Sequence, residues 1–393
     1  MVGILLLLLL LADAYAIYRI HIQRLGNALD FYPFWAGGRE VLLERHNPYD
    51  PAVMLRIQEA IYGRPARPDE NQHGYAYPAY APFLTWPFLL LPFPAAAALW
   101  IAGQQALVVA SVALTVRAVR WQPGRRTFLL LCLAAMTFRY SMIAFVLGQT
   151  TVWVLFWLTV ALWAAGQRSD RLAGLALVAG MVKPQLVVLP ALALLLSLPG
   201  RRKQRTFWTL SGAMALLLAL SVLFIGPWLA DYVRQIRAYR DYSTTQFPVL
   251  ALTEDWLPPS IGTWLNAAVI AVLLGGLAVV LWRWRGRDQA ALPLALAVIV
   301  TQLVVPQTGS YNLALLLLPA VVLLAHRKRR PAGWRSRVAQ GLVWADLVLI
   351  PWLLWPIVRG ENGRPWDLIV MPLVLLAAMD WQFLLRADVK AQK

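Results

Sequence analysis

The chain has 393 residues, 60% hydrophobic and only 14% charged, with 19 Trp and a net charge of +17. A soluble domain carries about 45–50% apolar and ~25% charged residues, so an ordinary soluble fold is excluded. Nucleic acid is not the expected partner, because the Lys and Arg lie in loops between apolar blocks rather than on one face or in a tail; topology signals and lipid phosphates account for them.

The apolar blocks fall near 2–20, 94–116, 127–147, 150–166, 171–183, 184–199, 206–226, 262–282, 289–305, 312–326, 338–357 and 366–385. They predict an all-α, polytopic membrane protein of about twelve transmembrane helices, forming one integral domain over 1–393. The first block lacks a basic stretch before it, and Ala12-Asp13-Ala14 places an acid where a signal-peptide cleavage site would not carry one, so a retained helix is expected. The blocks at 171–183 and 184–199 are short for separate spans and are compatible with one re-entrant hairpin tipped by Lys183-Pro184. Cys132 is the only cysteine, which rules out an internal disulfide and argues against a zinc site.

With the N-terminus in the cytoplasm, the inner loops hold 22 of the 36 Lys and Arg, which predicts both termini inside. Two long loops, 21–93 and 227–261, then face outward. Each contains an amphipathic pattern. Asp50 is placed to cap a helix with Pro51 at its first position and Val53, Met54, Ile57 and Ile61 on one face. Pro227 opens a second helix with Trp228, Tyr232, Ile236 and Tyr239 on one side, and Phe34 to Leu43 suggests a third. Such helices are expected in the membrane interface. No internal repeat of the kind that builds transporters is visible.

Among the outward acids, Asp30 alone sits at the end of the first helix with no basic neighbour. A carboxylate at that depth is costly unless it is solvated or used. It reads as a general base for a sugar transferase, or as the cap of a helix starting at Phe31 or Phe34. Lys183 and Arg139 are isolated cations suited to a departing phosphate, or to snorkelling toward headgroups. His73 lies in an aromatic loop stretch that includes Tyr75 and Tyr77, where it suits sugar or phosphate, or plain solvation. Aromatic faces there stack on sugar rings or form an interfacial belt. The histidines are too scattered for a metal cluster, no outward D-x-D pair supports a metal clamp, and no nucleotide fingerprint is present.

Taken in order, several motifs resemble glycosyltransferase family 87, within the GT-C class. They are Asp30-Phe31-Tyr32 with Trp35-Ala36-Gly37-Gly38, Asn47-Pro48-Tyr49-Asp50, Tyr75-Ala76-Tyr77-Pro78, Leu91-Pro92 with Leu99-Trp100, Gly148-Gln149, and Lys183-Pro184-Gln185. The resemblance covers roughly residues 1 to 330. It implies a GT-C-type bundle and a polyprenyl-phosphate-mannose donor. It also implies inversion without a metal or other cofactor, with Asp30 as base. Lys183 and Arg139 would then hold the donor phosphate; His73, Tyr77, Gln149, Gln185, Tyr311 and Asn312 would bind substrate. Family relatives often carry an acid or His near Tyr311-Asn312, where this chain offers only neutral groups. The expected partners are a lipid-linked sugar, a glycolipid or glycan acceptor and membrane lipids. A transporter or flippase for lipid-linked saccharides is the rival reading, and a non-catalytic membrane scaffold a weaker one.

Overall fold

The computed structural model describes residues 2–27, 29–242, 247–253, 256–306, 309–330, 333–358 and 366–385. Every element among them is helical. In chain order, α1 (Val2–Ile17) runs through a π-turn into α2 (Gln23–Leu25). The first long loop carries α3 (Phe31–Arg39), α4 (Pro51–Tyr62) and α5 (Ala81–Leu89). The bundle continues with α6 (Phe93–Ala118), α7 (Arg125–Thr137), α8 (Arg139–Leu147), α9 (Thr151–Gly166), α10 (Asp170–Gly180), α11 (Pro184–Ser197) and α12 (Gly200–Ile225). The second long loop carries α13 (Leu229–Tyr242) and α14 (Pro248–Thr253). The remainder is α15 (Pro259–Trp284), α16 (Ala291–Val304), a 3₁₀ turn at Ser310–Leu316 leading into α17 (Leu317–Lys328), α18 (Trp334–Val348), α19 (Ile350–Leu353), α20 (Trp355–Val358), α21 (Asp367–Ala378) and α22 (Trp381–Leu385).

A helix that is apolar on every side belongs inside other helices or in lipid, and both solutions occur. α9, α16 and α17 bury most of their length. α12 and α15 expose Leu216, Leu223, Val272 and Val279, the surface expected against hydrocarbon.

Among the described residues, five helices are long and apolar enough to cross a membrane: Gly3–Leu25, Phe93–Ala118, Gly200–Ile225, Pro259–Trp284 and Ser310–Lys328. α7 and α8 make a sixth if their 50° bend lies within one span. Helix length therefore does not establish the expected twelve. The reason is local. The block at 127–147 breaks at Phe138, whose ψ of 119° leaves the helical region. The block at 338–357 divides into α18, α19 and α20. The blocks at 150–166 and 184–199 form helices of 16 and 14 residues, short of a standard span.

The loop helices form where their end signals stand. Asp50 accepts a hydrogen bond from the Ala52 N–H at 2.8 Å and caps α4, which buries Val53 and Ile57. The expected interfacial role of α13 changes. Trp228 is buried against Tyr49 and Tyr80, and Asn47 donates to Asp231 at 2.6 Å. These contacts tie α13 to the first long loop, and its aromatic face turns onto the protein.

Gly148 ends α8 in the left-handed region at φ +67°. The Trp100 indole donates to its carbonyl at 2.9 Å, and an added Cβ would lie 2.7 Å from Phe31 Cβ. Only glycine meets both demands. Gly148→Ala is expected to cost about 1–3 kcal/mol, read as a lowered thermal midpoint in detergent beside an unchanged Gly103→Ala control, whose added methyl meets open space.

Candidate active site

Asp30 occupies the residue before α3, yet its side chain makes no capping bond to that helix. Its Oδ2 instead accepts from Gln149 Nε2 at 2.6 Å, so the carboxylate points away from its own helix. Burial raises its pKa, while the Gln149 hydrogen bond and the charges of Lys183 and His73 pull it down; the net shift is upward.

Lys183 lies in the turn between α10 and α11 and is only 7% exposed. Its Nζ donates to Gln149 Oε1 at 2.8 Å, Thr151 Oγ1 at 3.2 Å and Asn312 Oδ1 at 3.3 Å. Thr151 Oγ1 itself donates to Asn312 Oδ1 at 2.8 Å. The ammonium stands 4.8 Å from the centre of the Tyr311 ring, a cation–π contact. Every oxygen it touches is neutral. Burial lowers its pKa to about 7 despite the field of Asp30.

Both groups open into a cavity of about 800 Å³. His73, Tyr77, Gln149, Gln185 and Tyr311 line it as well. His73 holds a left-handed backbone, φ 49°, and its pKa is lowered by burial against the pull of Asp30. Asn312 stands behind the wall, bound to Lys183 and Thr151. The roof is α13, which contributes Tyr232, Ile236, Tyr239 and Tyr242. The backbone at Gly74 comes so close to Gln235 and Tyr242 that a side chain there would collide with both.

Arg139 departs from the expected set. It does not line the cavity; it pairs with Asp367 at 3.4 Å, and its guanidinium lies 4.1 Å from the Trp355 ring centre. Both side chains of the pair are buried. Asp367 also accepts from Ser310, which lines the cavity, so Arg139 reaches the site through two intermediaries.

Sequence reasoning missed Thr151 as a holder of Lys183 and α13 as a wall of the cavity. Thr151 had one signal, its place two residues after Gln149 at the start of a helix. The tyrosines of α13 showed amphipathicity, which does not say which surface they meet.

Among the described residues, no three His, Cys, Asp or Glu converge in a way that could hold a metal ion. The chemistry available is a half-buried carboxylate, a buried ammonium and an imidazole in an aromatic chamber. That set suits proton removal from a hydroxyl beside an anionic group.

The sequence model of glycosyltransferase family 87 matches residues 75–306. No curated protein and no solved structure matches the chain significantly. The chain belongs to glycosyltransferase family 87 and is a multi-pass membrane glycosyltransferase. The matched stretch contains Gln149 and Lys183 and excludes Asp30, His73 and Asn312. Those three join the site through geometry.

Breaking a buried ion pair strands a charge and costs about 3–5 kcal/mol. Arg139→Ala is therefore expected to lower the thermal midpoint in detergent more than Gln185→Ala, an exposed cavity-wall substitution. An equal midpoint for the two would remove the structural assignment of Arg139.

Proposed function

We propose that the protein transfers a sugar, mannose by family resemblance, from a polyprenyl-phosphate donor to a hydroxyl of a glycolipid or glycan acceptor. The transfer takes place on the outer face of the cytoplasmic membrane. One observation carries this reading: a carboxylate and an ammonium share a cavity, and neither forms an ion pair among the described residues. The base is free to take a proton and the cation is free to take an anion.

The reaction is a single displacement. The acceptor oxygen attacks the anomeric carbon as Asp30 removes its proton. The bond from that carbon to the phosphate oxygen breaks, and its electron pair stays on the phosphate. Lys183 stabilises the developing charge, its longer bonds to Thr151 and Asn312 being the ones an anion would displace. The leaving phosphate needs no proton, so one base suffices and the configuration inverts. Tyr77, Tyr232 and Tyr239 offer aromatic faces to sugar rings. His73 and Gln185 lie within the same chamber for hydroxyl contacts. The two long loops, tied together around the chamber, are the ones that the distribution of Lys and Arg assigns to the outer side.

The test is product formation. Purified protein given polyprenyl-phosphate-mannose is expected to release free polyprenyl phosphate only with acceptor present; an intact donor in every acceptor screen would count against transfer. Asp30→Asn should lower the rate by about 10²–10⁴-fold, and parental activity in that variant would end the assignment of the base.

The pH dependence follows from the two charges. Asp30 acts only when ionised, and burial raises its pKa, so kcat/KM should rise with pH through a limb above the ordinary carboxylate range. Lys183 acts only when protonated, so activity should fall as pH passes about 7. The expected profile is a narrow bell on the acid side of neutrality, and Lys183→Met should abolish its alkaline limb along with most donor affinity.

A further inference from the structure

Asp30 and Lys183 carry opposite charges into one cavity, and what stands between them is the carboxamide of Gln149. Its Nε2 donates to Asp30 Oδ2 at 2.6 Å, and its Oε1 accepts from Lys183 Nζ at 2.8 Å. The two charges fix which way the amide faces. Turned over, it would set its NH₂ against an ammonium and its carbonyl against a carboxylate. The group is also held from behind. Gln149 is 5% exposed, its own N–H donates to the Ala144 carbonyl at 2.9 Å, and the left-handed turn at Gly148 aims it inward.

A carboxylate and an ammonium in direct contact satisfy one another. The acid then holds its proton less well by about 1–3 pH units, and the cation has a counter-ion already. A base must keep affinity for a proton, and a phosphate holder must keep its charge unspent. An amide that bonds to both groups at once satisfies each without neutralising either.

We propose that Gln149 is a positioning residue, a neutral spacer that prevents Asp30 and Lys183 from closing into an ion pair and thereby keeps the base basic and the cation open to phosphate. This rests on the roles given above to Asp30 and Lys183. It also revises the expected role of Gln149 as a substrate contact, since both ends of its amide are already engaged within the protein. The charged and titratable groups facing Asp30 are few. They are Lys183 from the α10–α11 turn, His73 and Tyr77 from the first long loop, and Tyr239 from α13. Among the described residues Asp30 is the only acid lining the cavity, so the Asp30–Lys183 contact is the collapse the spacer must prevent.

The experiment is the pH profile of kcat/KM for Gln149→Leu, which keeps much of the side-chain volume and removes both hydrogen bonds. Collapse into an ion pair moves the acidic limb down by about 1 unit or more and weakens binding of polyprenyl phosphate about tenfold, measured by calorimetry without turnover. If the amide only donated to Asp30, its loss would raise the carboxyl's pKa and move the limb upward. If it only filled space, leucine would serve in its place and both kcat and the limb would stay where they are. Either result overturns the proposal, as does unchanged polyprenyl-phosphate binding. Gln149→Asn, one methylene too short to reach both partners, carries the same expectation should the leucine variant not fold. Asp30→Asn in the same assay separates the two layers. Full activity there removes the base itself, whereas an inactive Asp30→Asn with an unshifted Gln149→Leu removes only the spacer.

Discussion

A buried ammonium with no carboxylate in contact among the described residues is the constraint around which this bundle is arranged. Removing a charge from water costs several kcal/mol unless partners replace the lost solvation. Around Lys183 those partners are oxygens of Gln149, Thr151 and Asn312 and the face of Tyr311. They come from the first residue of α9, from Gln149 two positions ahead of it, and from the 3₁₀ turn ahead of α17. Arg139 shows the alternative within the same protein. It has Asp367 as counter-ion and Trp355 beneath it, and it stays out of the cavity. One cation has a carboxylate as counter-ion; the other is surrounded by dipoles.

The same division appears among the acids. Glu40 is bound by Arg56 and faces His46, Glu70 by Arg64, Asp170 and Asp288 by Arg202, and Asp380 by His326, Arg327 and Arg330. Asp30 has an amide donor and, among the described residues, no cation in contact. Ionic pairing is spent on holding loops and helix ends together, and the cavity is kept apart from it. An aromatic layer runs beside these residues in sequence: Phe31, next to Asp30, stacks on Trp100 at 5.0 Å, and Trp100 stacks on Trp153 at 5.7 Å.

Much of the class was legible in the residues. Blocks of apolar sequence with arginine-rich joints specify a membrane bundle whatever its packing, and Asp50-Pro51 specified the start of α4. Asp30 was ambiguous between cap and base because both need an acid just before a helix; the direction of its side chain, set by Gln149 more than a hundred residues away, was not readable. Arg139 was misplaced for a related reason. A lone cation in an apolar block looks unpaired until Asp367, 228 residues later, is brought beside it. Helix length does not establish the expected number of spans, because hydropathy registers apolar length and does not foresee the break at Phe138 or the shortness of α10 and α11. The face of α13 was read correctly as amphipathic and assigned to lipid, since periodicity carries no information about which apolar surface receives it.

The distance in sequence between Lys183 and Asn312 has a consequence for biogenesis. A chain threaded into the bilayer from its N-terminus delivers Lys183 well before the 3₁₀ turn that supplies Asn312 and Tyr311. In that interval the lysine lacks half of its eventual shell, and water at the membrane edge must stand in for it. The oxygen of Asn312 and the ring of Tyr311 reach the ammonium only when the segment at 310–328 docks. Docking of the late segment therefore completes the surroundings of a residue placed more than a hundred positions earlier.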